Sequence, residues 1–292
     1  MRILKKEIGK KKEEKKRKGN NNHTHNLKSR NEKEELIQRL KRCHDNDNIF
    51  NYIDEKYKKY IIKKNRNDSS QNNSINKEKN ENYIHNEIEG SKHLGSSSFI
   101  FFESINSYEL KKYKSAFSIY NILLNITKIN MQKLYDENNF LNKGWSDQEK
   151  LKELKSDRSK LILDIIKTND KNQIDDFLKT NPIVCFVHFR FTPDYYPYQK
   201  NIICYLYEIQ IIKEYIKIGI GTHLINILEQ LCKNIHIHKI LCTVLKSNYK
   251  AVMFYKNKCS FQMDESSPDN FYSDSHLSKE CEYEILKKDI IS

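Results

Sequence analysis

The chain has 292 residues, of which 37 % are apolar, against about 45–50 % in ordinary globular chains, and its 52 Lys and Arg outnumber its 39 Asp and Glu, for a formal charge of +13. No run approaches the ~18–20 apolar residues of a membrane-spanning helix, and residues 1–18 are charged throughout, without the apolar core of a secretory signal. The seven Cys are odd in number and lack paired short spacings, so they read as reduced intracellular thiols rather than a disulfide framework.

The charge is unevenly spread. Residues 1–95 hold 25 basic and 15 acidic side chains, and the remainder holds 27 and 24, so +10 lies in the first third and +3 in the rest. Residues 1–95 are expected to form a largely disordered, basic, Asn/Lys-rich extension, because too little apolar surface is available to offset the entropy of ordering. Within it only residues 34–62 show some helical spacing, through Leu36, Leu40, Ile49 and Ile53. The basic block at 10–18 reads either as an import or phosphate-contacting segment or as a solvated tail.

From residue 96 the pattern becomes that of a folded α/β domain, predicted to span 96–292. Residues 97–107 alternate and read as a strand. Residues 118–135 place Ile119, Ile122, Leu123, Ile126 and Ile129 at helical spacing, and Ser146-Asp147-Gln148-Glu149 is a capping box opening a helix through Lys155. Residues 161–166 and 183–191 read as strands, the second with Ile183, Cys185, Val187, Phe189 and Phe191 on one face. Residues 202–212 read as a central strand. Gly219-Ile220-Gly221 then opens a helix whose buried stripe is Leu224, Ile225, Ile227, Leu228, Leu231 and Cys232. A strand at 240–245, a short helix N-capped by Asn248 and a strand at 281–287 follow.

The unit that carries chemistry is strand, Gly219-x-Gly221, helix. Such a turn lets backbone N–H groups approach a diphosphate, and the helix dipole favours the negative charge. Alone it is a weak signal, lacking the third Gly of a dinucleotide fingerprint and the Lys-Ser/Thr of a P-loop. The next unit strengthens it: a strand, then Asn248-x-x-Ala251-x-x-Phe254-Tyr255. The pair resembles motifs A and B of the Gcn5-related N-acetyltransferase (GNAT) superfamily. Further segments narrow the resemblance: Leu134-Tyr135-Asp136-Glu137, Gly144-Trp145-Ser146-Asp147-Gln148-Glu149-Lys150, His188-Phe189-Arg190-Phe191, Tyr205-Leu206-Tyr207-Glu208-Ile209-Gln210, Leu241-Cys242-Thr243-Val244-Leu245-Lys246, Asp264-Glu265-Ser266-Ser267-Pro268 and Cys281-Glu282-Tyr283-Glu284-Ile285-Leu286. Together, over about residues 115–288, they are similar to the N-alpha-acetyltransferase D family, the N-terminal acetyltransferases of histones 4 and 2A.

The resemblance implies the GNAT (acyl-CoA N-acyltransferase) fold, a mixed central sheet flanked by helices, with acetyl-CoA as co-substrate, no metal, and histone N-terminal tails as peptide partner. It implies that Gln210, Ile211 and Ile212 meet acetyl-CoA through the backbone. Ile218, Gly219, Ile220, Gly221, Thr222 and His223 line its diphosphate, and Asn248 fixes the pantetheine side. Tyr135, Asp194, Tyr205, Tyr207, Thr243 and Tyr283 fall at peptide-binding positions. Glu208, a carboxylate within an otherwise apolar strand, where it is costly without a partner or a task, is the candidate base. It faces away from Tyr205 and Tyr207 unless a bulge intervenes. Tyr255 is the candidate acid for the departing thiolate, or else an aromatic of the core.

The sequence departs from the family in three places. Thr192 stands where the family has an acidic residue, with Asp194 nearby and extra residues at 195–200. Ile216 stands where the family has a Gln or Arg three residues ahead of the first Gly, and Phe140 replaces a Trp. Asp194, Glu208, Asp264, Glu265, Glu282 and Glu284 are expected to form a negative mouth for a basic tail. The extension is expected to meet nucleic acid or ribosome, with cytoplasm and nucleus as the location and no membrane contact. Cys232, His236, His238 and Cys242 have zinc-binding side chains, but at a spacing that fits no structural zinc site. Two other readings stay open: acetylation of Lys side chains by the same fold, and a degenerate domain that binds nucleic acid.

Overall fold

The computed structural model describes residues 22–45, 49–62, 98–164, 182–195, 197–271 and 281–290. In chain order these form α1 (Asn22–Asp45), β1 (Lys59–Ile62), β2 (Ser98–Phe101), β3 (Glu103–Asn106), α2 (Ser107–Leu110), α3 (Ala116–Glu137), α4 (Asp147–Leu154), β4 (Lys160–Leu163), β5 (Cys185–Pro193), β6 (Ile202–Ile211), α5 (Ile220–Asn234), β7 (Lys239–Leu245), α6 (Tyr249–Met253), β8 (Gln262–Met263), α7 (Pro268–Phe271) and β9 (Tyr283–Asp289). The basic block at 10–18 and the continuation of β4 expected at 165–166 lie outside the described residues.

The main sheet has seven strands in the order β3-β4-β5-β6-β7-β9-β8. Every neighbouring pair is antiparallel except β6 and β7, which run parallel and are joined by α5. This is the GNAT fold, with a mixed central sheet flanked by helices. The alternation of side chains along each strand divides the core in two. On one face Val187, Phe189, Leu206 and Ile240 pack beneath the α5 stripe of Leu224, Ile225, Ile227, Leu228, Leu231 and Cys232, all buried as their helical spacing predicts. On the other face Leu161, Leu163 and Phe186 meet Ile119, Leu123 and Ile126 of α3 and Leu154 of α4. The buried side of α3 continues through Thr127, leaving Ile129, expected in the stripe, 73 % exposed. The same rotation turns Asn130 toward the sheet.

The expected strand at 97–107 is two strands. β2 pairs with β1 in a separate two-stranded sheet, and β3 begins the main one. Residues on both sides of the expected 95/96 boundary thus pair with one another. Ile49, Phe50 and Ile53 are buried in the α5-side core, with Leu36, Leu40 and Cys43 of α1 packed against them. These are the residues whose weak periodicity marks the 34–62 patch. Too few to fold alone, they find a partner surface already made by α5 and the sheet.

Candidate active site

The site is built around an irregularity of β6. In the β5–β6 ladder His188 pairs with Glu208 and Phe189 with Leu206, so Tyr207 is an extra residue on β6. A bulge of this kind reverses the alternation of facing beyond it. Ile202, Cys204 and Leu206 belong to the α5-side core before the bulge, and Ile209 and Ile211 belong to it after. Tyr205, Tyr207, Glu208 and Gln210 consequently share the opposite face, the one covered by α3 and α4. The Tyr205 and Tyr207 rings lie 4.9 Å apart.

Glu208 is 5 % exposed. Its Oε1 accepts from Lys150 Nζ of α4 at 2.5 Å, and its Oε2 accepts from Gln210 Nε2 at 2.7 Å. Gln210 Oε1 accepts in turn from Asn130 Nδ2 of α3 at 2.9 Å. Lys150 also donates to Glu153 at 2.6 Å. Burial opposes the charge on Lys150, but Glu208, Glu153 and Tyr135 outweigh it and hold the ammonium well above its usual range. A carboxylate offers about four lone-pair sites, so two remain on Glu208 after these two bonds.

The coenzyme side follows from a second feature of the sheet. β6 and β7 pair only through Cys204↔Ile240, Tyr205↔Leu241 and Leu206↔Cys242. Beyond that β6 runs on to Ile211 and β7 to Leu245 as diverging strands, opening a groove whose floor begins at the bulge. Ile212 N–H donates to Val184 O at 2.9 Å, so it belongs to the β5 side and is not available to a coenzyme. The alternation of an antiparallel ladder then gives Gln210 N–H to β5 as well and turns the N–H groups of Ile209 and Ile211 toward the groove. Of the three residues expected to meet the coenzyme through the backbone, Ile211 turns its N–H toward the groove, as Ile209 does, while Gln210 and Ile212 turn theirs to β5.

At the groove end stands the N-terminus of α5. Gly219 is its N-cap at φ +95°, a left-handed conformation that a side chain would strain. No side chain caps the helix and no acidic residue lies in its first turn. The first intrahelical bond is His223 N–H to Gly219 O at 3.1 Å. The amides of Ile220, Gly221 and Thr222 therefore precede the helix ladder, as an anion-binding turn requires. A Cβ on Gly221 would lie 3.1 Å from Phe254 Cζ and 3.6 Å from Ile211 Cδ1, so that residue must be bare where two walls of the groove converge. These features fit a diphosphate. His223 does not line this cradle. Its Nε2 bonds Tyr57 O at 2.9 Å, and its ring packs on Tyr60 and Phe102. Burial pushes its pKa down. The Ile218 carbonyl accepts from the Tyr60 hydroxyl.

Asn248 caps α6 through Oδ1, and its Nδ2 reaches Met131 Sδ of α3 at 4.0 Å across the groove. Tyr255 lies on a π-helical turn, Phe254–Lys258, with its ring between Phe254 and Phe261. Burial raises its phenol well above the usual range, which keeps the proton on the oxygen.

The peptide side is aromatic. Tyr135 lies 4.6 Å from Phe140 and 5.6 Å from Trp145, and Phe140 meets Tyr283 edge-on at 6.1 Å. Leu141 N–H donates to Glu282 at 3.1 Å, which ties this loop to the start of β9. Tyr207 is sandwiched between His188, stacked at 4.9 Å, and the Arg190 guanidinium at 4.5 Å. Tyr205 is corrected from a wall to a foundation: it is 5 % exposed, with its hydroxyl on Thr243 Oγ1 at 2.6 Å.

Asp194 is also corrected. Its carboxylate is buried and paired with Lys239 at 2.7 Å, and Lys239 in turn holds Asp264 at 3.2 Å. Asp264 accepts from Ser266 N–H at 2.8 Å, and Ser267 Oγ from Ile285 N–H at 3.1 Å, so the Asp-Glu-Ser-Ser-Pro segment locks a turn onto β9. Glu284 pairs with Lys256 and Glu265 with Lys287. Of the expected negative mouth, Glu208 is likewise paired, with Lys150, and Glu282 accepts from Leu141 N–H.

A sheet that splays at a bulge, over an uncapped helix N-terminus, offers free backbone N–H groups of the kind a diphosphate needs. Residues 131–261 match the profile of the Acetyltransferase (GNAT) family. The chain carries a GNAT acetyltransferase domain. Among solved structures it is similar to Tetrahymena GCN5, at 14 % identity over 61 % of this chain and 90 % of that one, with a TM-score of 0.39. It is similar to Arabidopsis thaliana NAA60 in complex with a bisubstrate analogue, at 13 % identity over 65 % and 97 % and a TM-score of 0.38. It is also similar to Arabidopsis thaliana Naa50 in complex with a bisubstrate analogue, at 20 % identity over 55 % and 91 % and a TM-score of 0.31.

The matched segment of the acetyltransferase domain contains Glu208, the α5 cradle, Asn248 and Tyr255. Lys150 and Asn130 are the site residues that sequence reasoning passed over. Lys150 had a signal: it stands one helical turn before Leu154, on the buried stripe of α4, where a lysine needs a partner.

Proposed function

We propose that the protein is an N-terminal acetyltransferase, transferring acetyl from acetyl-CoA to the α-amine of Ser-starting tails of the histone 4 and 2A type. The observation that carries this reading is the bulge at Tyr207. It turns a carboxylate, Glu208, onto the sheet face covered by α3 and α4, where the groove between β6 and β7 begins; in this reading Tyr135, Tyr207 and Tyr283 wall the peptide slot there. An aromatic slot of this kind favours a small first residue and glycines that let the backbone approach closely. The motif resemblance to the N-alpha-acetyltransferase D family supports the same substrate class.

In this reading the amine attacks the thioester carbonyl, and the N–H groups of Ile209 and Ile211 receive the developing oxyanion, a contribution that is commonly large. Glu208 takes the amine proton directly or through one water. The coenzyme A thiolate, whose thiol has a pKa near 8.5, leaves without a strong acid, and Tyr255, the acid candidate, holds its proton too tightly to be required. An α-amine has a pKa of about 8, so a modest base suffices. A lysine amine, near 10.4, demands a stronger one than a carboxylate already bound to an ammonium. Asp194 has no part in holding the tail's arginine, because Lys239 occupies it.

The test is acetylation of a Ser-Gly-Arg-Gly peptide with a free or a blocked N-terminus. Activity confined to the free peptide is expected. Equal activity on a blocked peptide that carries a lysine would replace this reading with side-chain acetylation.

A further inference from the structure

The least expected group in the site is a cation. Lys150 is 9 % exposed, its ammonium 2.5 Å from Glu208 and 2.6 Å from Glu153 and 5.7 Å from the centre of the Tyr135 ring. It is thus held beside the Tyr135 ring, against the carboxylate at the bulge. We propose that Lys150 is a positioning residue of the amine subsite: it pins Glu208 at the bulge and, as a fixed cation there, keeps an arriving α-amine in its uncharged, nucleophilic form. This rests on the N-terminal acetyltransferase reading.

The reasoning is electrostatic. Glu208 and Glu153 without Lys150 would present two negative charges in a site largely shielded from water. Opposite charges nearby favour the charged form of a group, so that pair would bind the substrate as an ammonium, which has no lone pair for attack. With Lys150 in place, and Arg190 against Tyr207, two cations balance the two carboxylates. Lys150, a like charge beside the amine, then disfavours its protonation.

The groups facing Lys150 come from every element around it: Glu153 on α4, Tyr135 on α3, Glu208 and Tyr207 on β6, and His188 and Arg190 on β5. Burial raises the phenols of Tyr135 and Tyr207, so both stay protonated. Burial, then Arg190 and Lys150, push His188 well below its usual value, so it stays uncharged. Lys150 itself stays charged. The substrate amine is left as the group that titrates near neutral pH. A purely structural role for Lys150, fastening α4 to the sheet, would leave the position of that titration unchanged.

The experiment is the pH dependence of kcat, which reports groups in the enzyme–substrate complex, measured from pH 6 to 9.5 with saturating acetyl-CoA and a Ser-Gly-Arg-Gly peptide. In the wild type the acid limb is expected below the pKa of the free peptide's α-amine, about 8, titrated separately. In Lys150→Met the limb moves up by about one unit, so the rate falls about tenfold at pH 7 and recovers by pH 9. Lys150→Arg keeps the charge and keeps the limb. A Lys150→Met variant slowed by the same factor at every pH overturns the proposal. So does a wild-type limb that coincides with the free amine, and this comparison decides the matter if Lys150→Met does not fold. A wild type that binds acetyl-CoA yet leaves the free peptide unmodified overturns the substrate reading, and the proposal with it. An active wild type whose limb does not respond to Lys150→Met overturns the proposal alone.

Discussion

Gly219 and Gly221 do different work two residues apart. The first supplies a left-handed cap, and the second leaves room where Phe254 and Ile211 close on the first turn of α5. Replacing Gly221 with Val adds a branched side chain at a position where even Cβ is 3.1 Å from a ring carbon. Overpacking of this kind costs about 1–3 kcal/mol. The gain in helix propensity over Gly is under about 1 kcal/mol, so the clash decides the outcome. Gly221→Val is expected to lower the melting temperature by a few degrees and to weaken acetyl-CoA binding by about tenfold or more in calorimetry. Unchanged affinity would remove Gly221 from the cradle.

At this scale the sequence revealed residue types but not their facing. Glu208 stood out as a charge in an apolar strand, yet its side of the sheet depends on one inserted residue, and strand periodicity alone does not locate a bulge. Asp194 looked free because Lys239, its partner, lies 45 positions later in the chain.

The elements were more legible. α3, α5, β5, β6 and β7 follow from periodicities that tertiary packing reinforces, and Ser146 and Asn248 cap their helices as expected, accepting from Glu149 N–H and Ala251 N–H. The N-terminal third was not legible. Composition favours disorder for residues 1–95, whereas Ile49, Phe50 and Ile53 are buried in the core shared with α5. An element that folds only against a finished surface leaves a weak local signal, since most helical stability in proteins comes from packing. Phe50, 3 % exposed, makes this testable. Phe50→Ala is expected to cost about 3–5 kcal/mol, read by chemical denaturation. A loss under about 0.5 kcal/mol, usual for surface changes, would mean that the segment does not pack on the domain.

Over the whole molecule the charge is unevenly spread. The excess of +10 lies in residues 1–95 and only +3 in the remainder, so the part of the chain that holds the candidate site is near neutral. A surplus of basic charge in the extension suits contact with nucleic acid or ribosome, which we propose as its role in the cytoplasm and nucleus. The domain joins two cores through one sheet, and the chemistry sits where that sheet is least regular: β6 is bulged toward α3 and α4 and splayed from β7 at the same point. Everything proposed for the reaction depends on the carboxylate delivered there. The most direct measurement is the rate of acetylation of a Ser-Gly-Arg-Gly peptide by Glu208→Gln, with acetyl-CoA affinity measured on the same preparation. The variant is expected to bind acetyl-CoA within about twofold of the wild type while kcat falls by about 10²–10⁴, the usual contribution of a positioned base. A variant that binds the coenzyme and turns over at the wild-type rate would contradict the account.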